Sequence, residues 1–166
     1  MPDKSDPARQ ADLAGHPGSF RHLLGYETAA WREGYAEIRL AISAHHMNRM
    51  GMVHGGVYAT LLDAAMGHCV SWCSLPGNTR KAVTVSLTTS FLQGVDRGIL
   101  TACGQLHGIN GRIATATGEI RSETGLLCAI GQASFAYQPG SEHVIGVPKP
   151  PRGSNATPPP GATRKA

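Results

Sequence analysis

The sequence is short of the features that mark several functional classes. Its four cysteines, Cys69, Cys73, Cys103 and Cys128, contain no CxxC pair. No charged segment followed by an apolar run opens the chain in the manner of a secretory signal. Both absences favour reduced, buried thiols in a cytoplasmic protein. Cys69 and Cys73 share a helical spacing but lack the further ligands that a zinc site needs. Of the 8 histidines, only His45 and His46 stand together, so neither a metal nor another cofactor is expected. The one apolar run of membrane length, residues 53–73, is interrupted by Asp63 and His68, poor material for a lipid-facing span. The net charge is +4, but residues 139–166 hold four Lys/Arg against one acidic residue. No basic stripe is left to mark a nucleic-acid surface. A G-x-S-x-G elbow, a P-loop and a G-x-G-x-x-G after a strand are all missing, which argues against serine hydrolase and nucleotide-binding folds.

What is present suffices for one domain. The chain has 166 residues, 41% of them hydrophobic and 16% charged, a globular rather than a disordered composition. Residues 1–18, with Pro2, Pro7 and Pro17, read as a mobile leader. Residues 139–166 are dominated by Pro, Gly, Ser and Thr and read as a disordered or surface-draped tail. Between them, Ser19 suits the cap of a short helix through Leu24. Residues 26–31 and 35–42 read as a hairpin, with Ala36, Ile38, Leu40 and Ile42 alternating against Glu37, Arg39 and Ala41. Four later β-rich segments, residues 82–92, 98–107, 112–122 and 126–137, are joined by short Gly-containing breaks, which predicts a mostly antiparallel sheet. The expected architecture is α+β, with that sheet wrapped around one long helix over residues 53–73. One sheet and one helix leave faces uncovered, so assembly with a second copy is expected.

The helix carries the functional signal. After His54-Gly55-Gly56, the residues up to Cys73 hold a single formal charge, Asp63. A lone carboxylate in an apolar helix is costly to ionise unless something uses or pairs it. Asn48, Gly51, His54-Gly55-Gly56-Val57 and Thr60-Leu61-Leu62-Asp63 together resemble the signature of hotdog-fold acyl-CoA thioesterases. The nearest group is that of the phenylacetate-degradation and thioesterase superfamily members. The resemblance covers residues 19–138. It implies an acyl-CoA substrate, a polarising role for the helix N-terminus at Gly55, and Asp63 as general base or nucleophile. It also implies that Asn48 places the water or carboxylate, that Thr84 orients the nucleophile, and that Asn110, Gly111 and Arg112 meet the nucleotide end of coenzyme A. This chain departs from many relatives at Gln93-Gly94, where they carry Arg-Pro.

Physical chemistry supports these roles and adds a constraint. A helix N-terminus offers unpaired N–H donors and partial positive charge, and a carboxylate in an apolar setting is more basic than one in water. Gly55 and Asp63 lie eight residues apart, about 12 Å along one helix. That is too far for both to touch one thioester group, so a shared reaction needs two chains, a homodimer or a homotetramer.

Each residue also has a structural reading. Asp63 suits a buried ion pair, Gly55 and Gly56 close helix packing, Asn48 and Arg112 turns, and Thr84 an ordinary strand, while His54, also a catalytic-site candidate, either contacts substrate or caps the helix. Tyr58, Trp72 and Phe91 are candidates for an acyl pocket, while His68, Cys69 and Cys73 read as core or interface. A module that binds acyl-CoA without hydrolysing it is the alternative function, and a dehydratase fits the residue order less well.

Overall fold

The computed structural model describes residues 19–149. The expected leader and the far part of the expected tail therefore lie outside the described residues. Helix α1 (Phe20–Leu24) begins at Ser19, whose hydroxyl accepts the His22 N–H, and ends at Gly25 in the left-handed region. Strands β1 (Glu27–Arg32) and β2 (Tyr35–Ala41) form the expected hairpin. Helix α2 (Gly55–Ser71) follows a loop with a 3-10 turn at Ala44–His46. The short β3 (Asn78–Thr79) precedes β4 (Ala82–Phe91), β5 (Ile99–Asn110), β6 (Ile113–Ser122) and β7 (Leu127–Tyr137), and β8 (Val147–Pro148) comes last. Six strands make one antiparallel sheet in the order β1-β2-β5-β6-β7-β4.

α2 lies across the inner face of this sheet. Leu61, Leu62, Ala65, Met66, Cys69 and Val70 are fully buried beneath it, opposite Ala36, Ile38, Leu40, Leu100, Ala102, Ala116 and Ile120. Each large apolar side chain so buried contributes about 1.5–3 kcal/mol. Burial also pushes the Cys69 thiol up to about 12, so that sulfur is packing material rather than a nucleophile.

Three glycines let the helix sit close. Gly104, Gly118 and Gly131 are direct cross-strand partners on β5, β6 and β7. A Cβ at Gly104 would collide with the Ala65 carbonyl. At Gly118 and Gly131 it would stand 3.1 Å from the Leu62 methyls.

The helix is shorter at both ends than the expected span. Val53 pairs with Met47 as an isolated bridge and His54 caps the helix, while Trp72 ends it. Strand β5 runs past residue 107 to Asn110.

A larger difference concerns residues 139–149, which pack as a strap across the C-terminal end of α2. β8 pairs with β3, the Ser74 N–H donates to the Val144 carbonyl, and Asn78 Nδ2 donates to Ile145. Arg80, only 6% exposed, donates to the carbonyls of Trp72, Ser141 and Glu142 and lies 4.4 Å over the Tyr137 ring. Composition suggested a tail here, but composition does not report that an arginine 61 residues upstream would supply partners for its carbonyls.

Candidate active site

The loop before α2 is built from its own polar groups. Asn48 Oδ1 accepts the N–H groups of Met50 (2.8 Å) and Met52 (3.2 Å), so its carbonyl is spent on the turn. His46 is buried. Its Nδ1 accepts the Ser43 N–H and its Nε2 donates to Leu24, while its carbonyl receives the His54 N–H. This staple ties the start of the chain's fold to the residue that caps the catalytic helix candidate.

His54 Nδ1 accepts the Gly56 N–H at 2.9 Å, and the His54 carbonyl takes the Val57 N–H. Among the described residues, nothing accepts the Gly55 N–H. That donor points out of a 17-residue helix whose partial positive charge adds to it. The Phe91 ring lies against it, 3.5 Å from where a Gly55 Cβ would stand. Phe91 and Tyr58 neighbour one another at 6.3 Å between ring centres. Trp72 belongs elsewhere. It ends the same helix fourteen residues on from Tyr58, about 21 Å away, so the three aromatic residues do not line one pocket within a single chain.

Asp63 is half-buried on the flank of α2 and faces an open groove instead of the apolar core. The apolar enclosure expected for it is absent in the single chain. No Lys, Arg or His among the described residues forms an ion pair with it. Its hydrogen-bond partner is Thr84, whose hydroxyl donates to Oδ1 at 2.8 Å. Thr84 stands on β4, one of the two edge strands, so the hydrogen bond ties the carboxylate to an open side of the sheet.

The groove runs between α2 and the start of β4. Asp63, Gly67 and Ser71 line one side at helical spacing, Thr84, Ala82 and Arg80 line the other, and Phe135 forms the floor. His68 also faces it. Burial lowers the imidazole's pKa, its hydrogen bond to the Ala64 carbonyl opposes that, and Trp31 Nε1 donates to the His68 carbonyl at 2.7 Å.

Asn110, Gly111 and Arg112 form the exposed β5–β6 turn, with Gly111 in the left-handed region at φ 59°. Arg112 Nε donates to the Tyr137 carbonyl. Register places this turn at the same end of the sheet as Asp63, since Ala114 pairs with Phe135 and Phe135 with Thr84. Within one chain the structure thus joins Asp63 to Thr84 and sets Asn110 to Arg112 near them, but it leaves Gly55, His54 and Asn48 at the far end of the helix. Sequence reasoning missed Arg80, Lys81 and Gln138 in the groove wall. The adjacent pair Arg80-Lys81 before a strand was the available signal.

An antiparallel sheet wrapped around one central helix is the arrangement of a hotdog fold. Residues 50–129 match the family described as Thioesterase superfamily. The match includes His54, Gly55, Asp63, Thr84 and residues 110–112 and stops short of Asn48.

A Haemophilus influenzae protein provisionally named an esterase is 26% identical over 113 residues, covering 68% of this chain and 80% of its own. The crystal structure of a Haemophilus influenzae thioesterase superposes with a TM-score of 0.66 at 24% identity, covering 72% of this chain and 82% of that one. The E. coli protein from the phenylacetic acid degradation operon does so at 0.68 and 20% identity, covering 79% and 91%.

Proposed function

We propose that the protein hydrolyses acyl-CoA thioesters at sites shared between two copies, with Asp63 of one chain and the Gly55 N–H of the other acting on one carbonyl. The observation that carries this is the Thr84–Asp63 hydrogen bond at the sheet edge, with the one bare helix donor a full 12 Å or so away along α2.

The edge itself supports two copies. β4 is ten residues long, carries no charge, and exposes Val83 and Val85. An unprotected edge of that kind invites pairing with another strand. Antiparallel pairing of β4 with its copy about the strand centre sets the Phe91 end of one beside the Ala82 end of the other. Phe91 packs on Gly55, so the partner's helix N-terminus arrives beside Thr84 and Asp63.

In this arrangement Asp63 takes the proton of a water as the oxygen adds to the carbonyl carbon. The Gly55 N–H stabilises the oxyanion, and collapse breaks the C–S bond to release coenzyme A thiolate, which is then protonated. Direct attack by Asp63 uses the same geometry. Asn110, Gly111 and Arg112 take the nucleotide end. The free thiols of all four cysteines suit a reducing cytoplasm.

Subunit complementation tests the shared site. Gly55→Pro removes one N–H and little else, because proline is tolerated at the first helical position and His54, at φ −66° and ψ 139°, already has the conformation that precedes proline. Gly55→Pro and Asp63→Ala dimers are each expected to be inactive. Each mixed dimer keeps one intact site, so an equal exchanged mixture should recover about one quarter of wild-type thiol release. Absence of recovery with subunit exchange demonstrated would sink the shared site.

Thr84→Val is expected to cost less. It deletes one hydrogen bond worth about 1 kcal/mol, hence roughly fivefold in kcat with KM unchanged. Steady-state kinetics on one acyl-CoA checks it.

A further inference from the structure

The groove that begins at Asp63 ends in positive charge. Arg80 and Lys81 close it, eight helical residues or about 12 Å from Asp63 on the α2 side. Arg80 is held by three backbone carbonyls, and no carboxylate forms an ion pair with it among the described residues. Glu142 of the strap gives Arg80 its carbonyl, while its own carboxylate oxygen Oε2 is buried without a hydrogen-bond partner.

Lys81 is exposed, and its backbone carbonyl is fixed by the Gln138 N–H at 2.8 Å. Its ammonium forms no ion pair among the described residues. On the other side of β7, Tyr137 donates its N–H to the Arg112 carbonyl at 2.8 Å. Three cations therefore flank the end of one strand, Lys81 and Arg112 about two strand spacings or 10 Å apart. A buried, carbonyl-held guanidinium with no ion pair among the described residues leaves its field to act along the groove.

We propose that Lys81, backed by Arg80, forms an anion subsite for the substrate at the end of the Asp63 groove. This rests on the thioesterase reading of Asp63. The subsite takes a phosphate or carboxylate carried about one groove length from the scissile carbonyl. Two parts of a substrate can supply it, the phosphates of coenzyme A or a carboxylate at the far end of the acyl chain. Lys81 binds and does no chemistry.

The test compares wild type, Lys81→Gln and Lys81→Arg on three substrates: a straight-chain acyl-CoA, the same acyl group on pantetheine, and an acyl-CoA ending in a carboxylate. Lys81→Gln should raise KM about tenfold, the effect of one lost charge-assisted hydrogen bond, with kcat within twofold. Lys81→Arg should restore it, and the difference should shrink as salt rises. A rise on both CoA thioesters that spares the pantetheine thioester assigns the anion to the phosphates. A rise confined to the carboxylate-ended chain assigns it to the acyl group. Unchanged KM on all three overturns the subsite. If wild type hydrolyses none of them, the thioesterase reading fails on its own. Calorimetric binding of coenzyme A and of a free dicarboxylate to wild type and Lys81→Gln then reads the subsite directly, and equal affinities for both ligands overturn it.

Discussion

Asp63→Asn is expected to lower kcat on an acyl-CoA by about 100- to 10,000-fold, the range spanned by loss of a positioned acid–base group. The substitution is nearly isosteric. Its amide oxygen still accepts from the Thr84 hydroxyl, which now donates to Asp63 at 2.8 Å. No ion pair is broken, because Asp63 has none among the described residues. The thermal midpoint should therefore stay close to wild type while thiol release collapses. KM should change little, since the carboxylate acts on water or carbon rather than on a distant part of the substrate. A variant that folds, dimerises and keeps its rate would remove Asp63 from the chemistry. The alternative of a non-catalytic acyl-CoA binder is preferred only where wild type binds acyl-CoA and releases no thiol.

The second large effect is on the fold. Gly104→Ala adds a single methyl where β5 passes under α2, and that methyl overlaps the Ala65 carbonyl and the Met66 nitrogen. Both are helix backbone, so no side chain can turn away to make room. Overpacking of this kind costs about 3 kcal/mol, with a fall of roughly 10 °C in Tm for a domain of this size. Gly118→Ala and Gly131→Ala should cost less, because the atoms they meet first, the Cys103 and Thr88 carbonyls and the Leu62 methyls, stand at 3.0–3.1 Å instead of the 2.4 Å found at Gly104. Thermal unfolding by circular dichroism ranks the three. Equal losses at all three positions would mean that the helix does not rest on Gly104.

These residues also show where sequence reading reached and where it stopped. Alternation at Ala36, Ile38 and Leu40 gave β2 and its buried face, because a strand with one face on a core carries its own period. A single carboxylate within an apolar helix singled out Asp63, and hydroxyl support at Thr84 followed from the resemblance. The glycine row was not legible. Gly104, Gly118 and Gly131 are 14 and 13 residues apart in sequence and become neighbours only once β5, β6 and β7 adopt one register. Local signals carry no register. Asp63 was expected in an apolar enclosure because hydropathy counts neighbours along the chain, whereas its surroundings are set by a groove between α2 and the edge strand. The resemblance implies that Asn48 places the water or carboxylate; its Oδ1 accepts two N–H groups of its own turn, which leaves its Nδ2 amide for that role.

The strap has a consequence in time as well as in space. Arg80 leaves the ribosome 61 and 62 residues ahead of the Ser141 and Glu142 carbonyls that receive it. At 5–20 residues per second the guanidinium waits about 3–12 seconds for those acceptors. Strands β4 to β7 are synthesised in that interval, and β3 stays without its partner strand until residues 147–148 emerge. The groove wall opposite Asp63 is thus the last part of the cleft to close, and a newborn chain holds its nucleophile candidate before it holds the shape of what that residue works on.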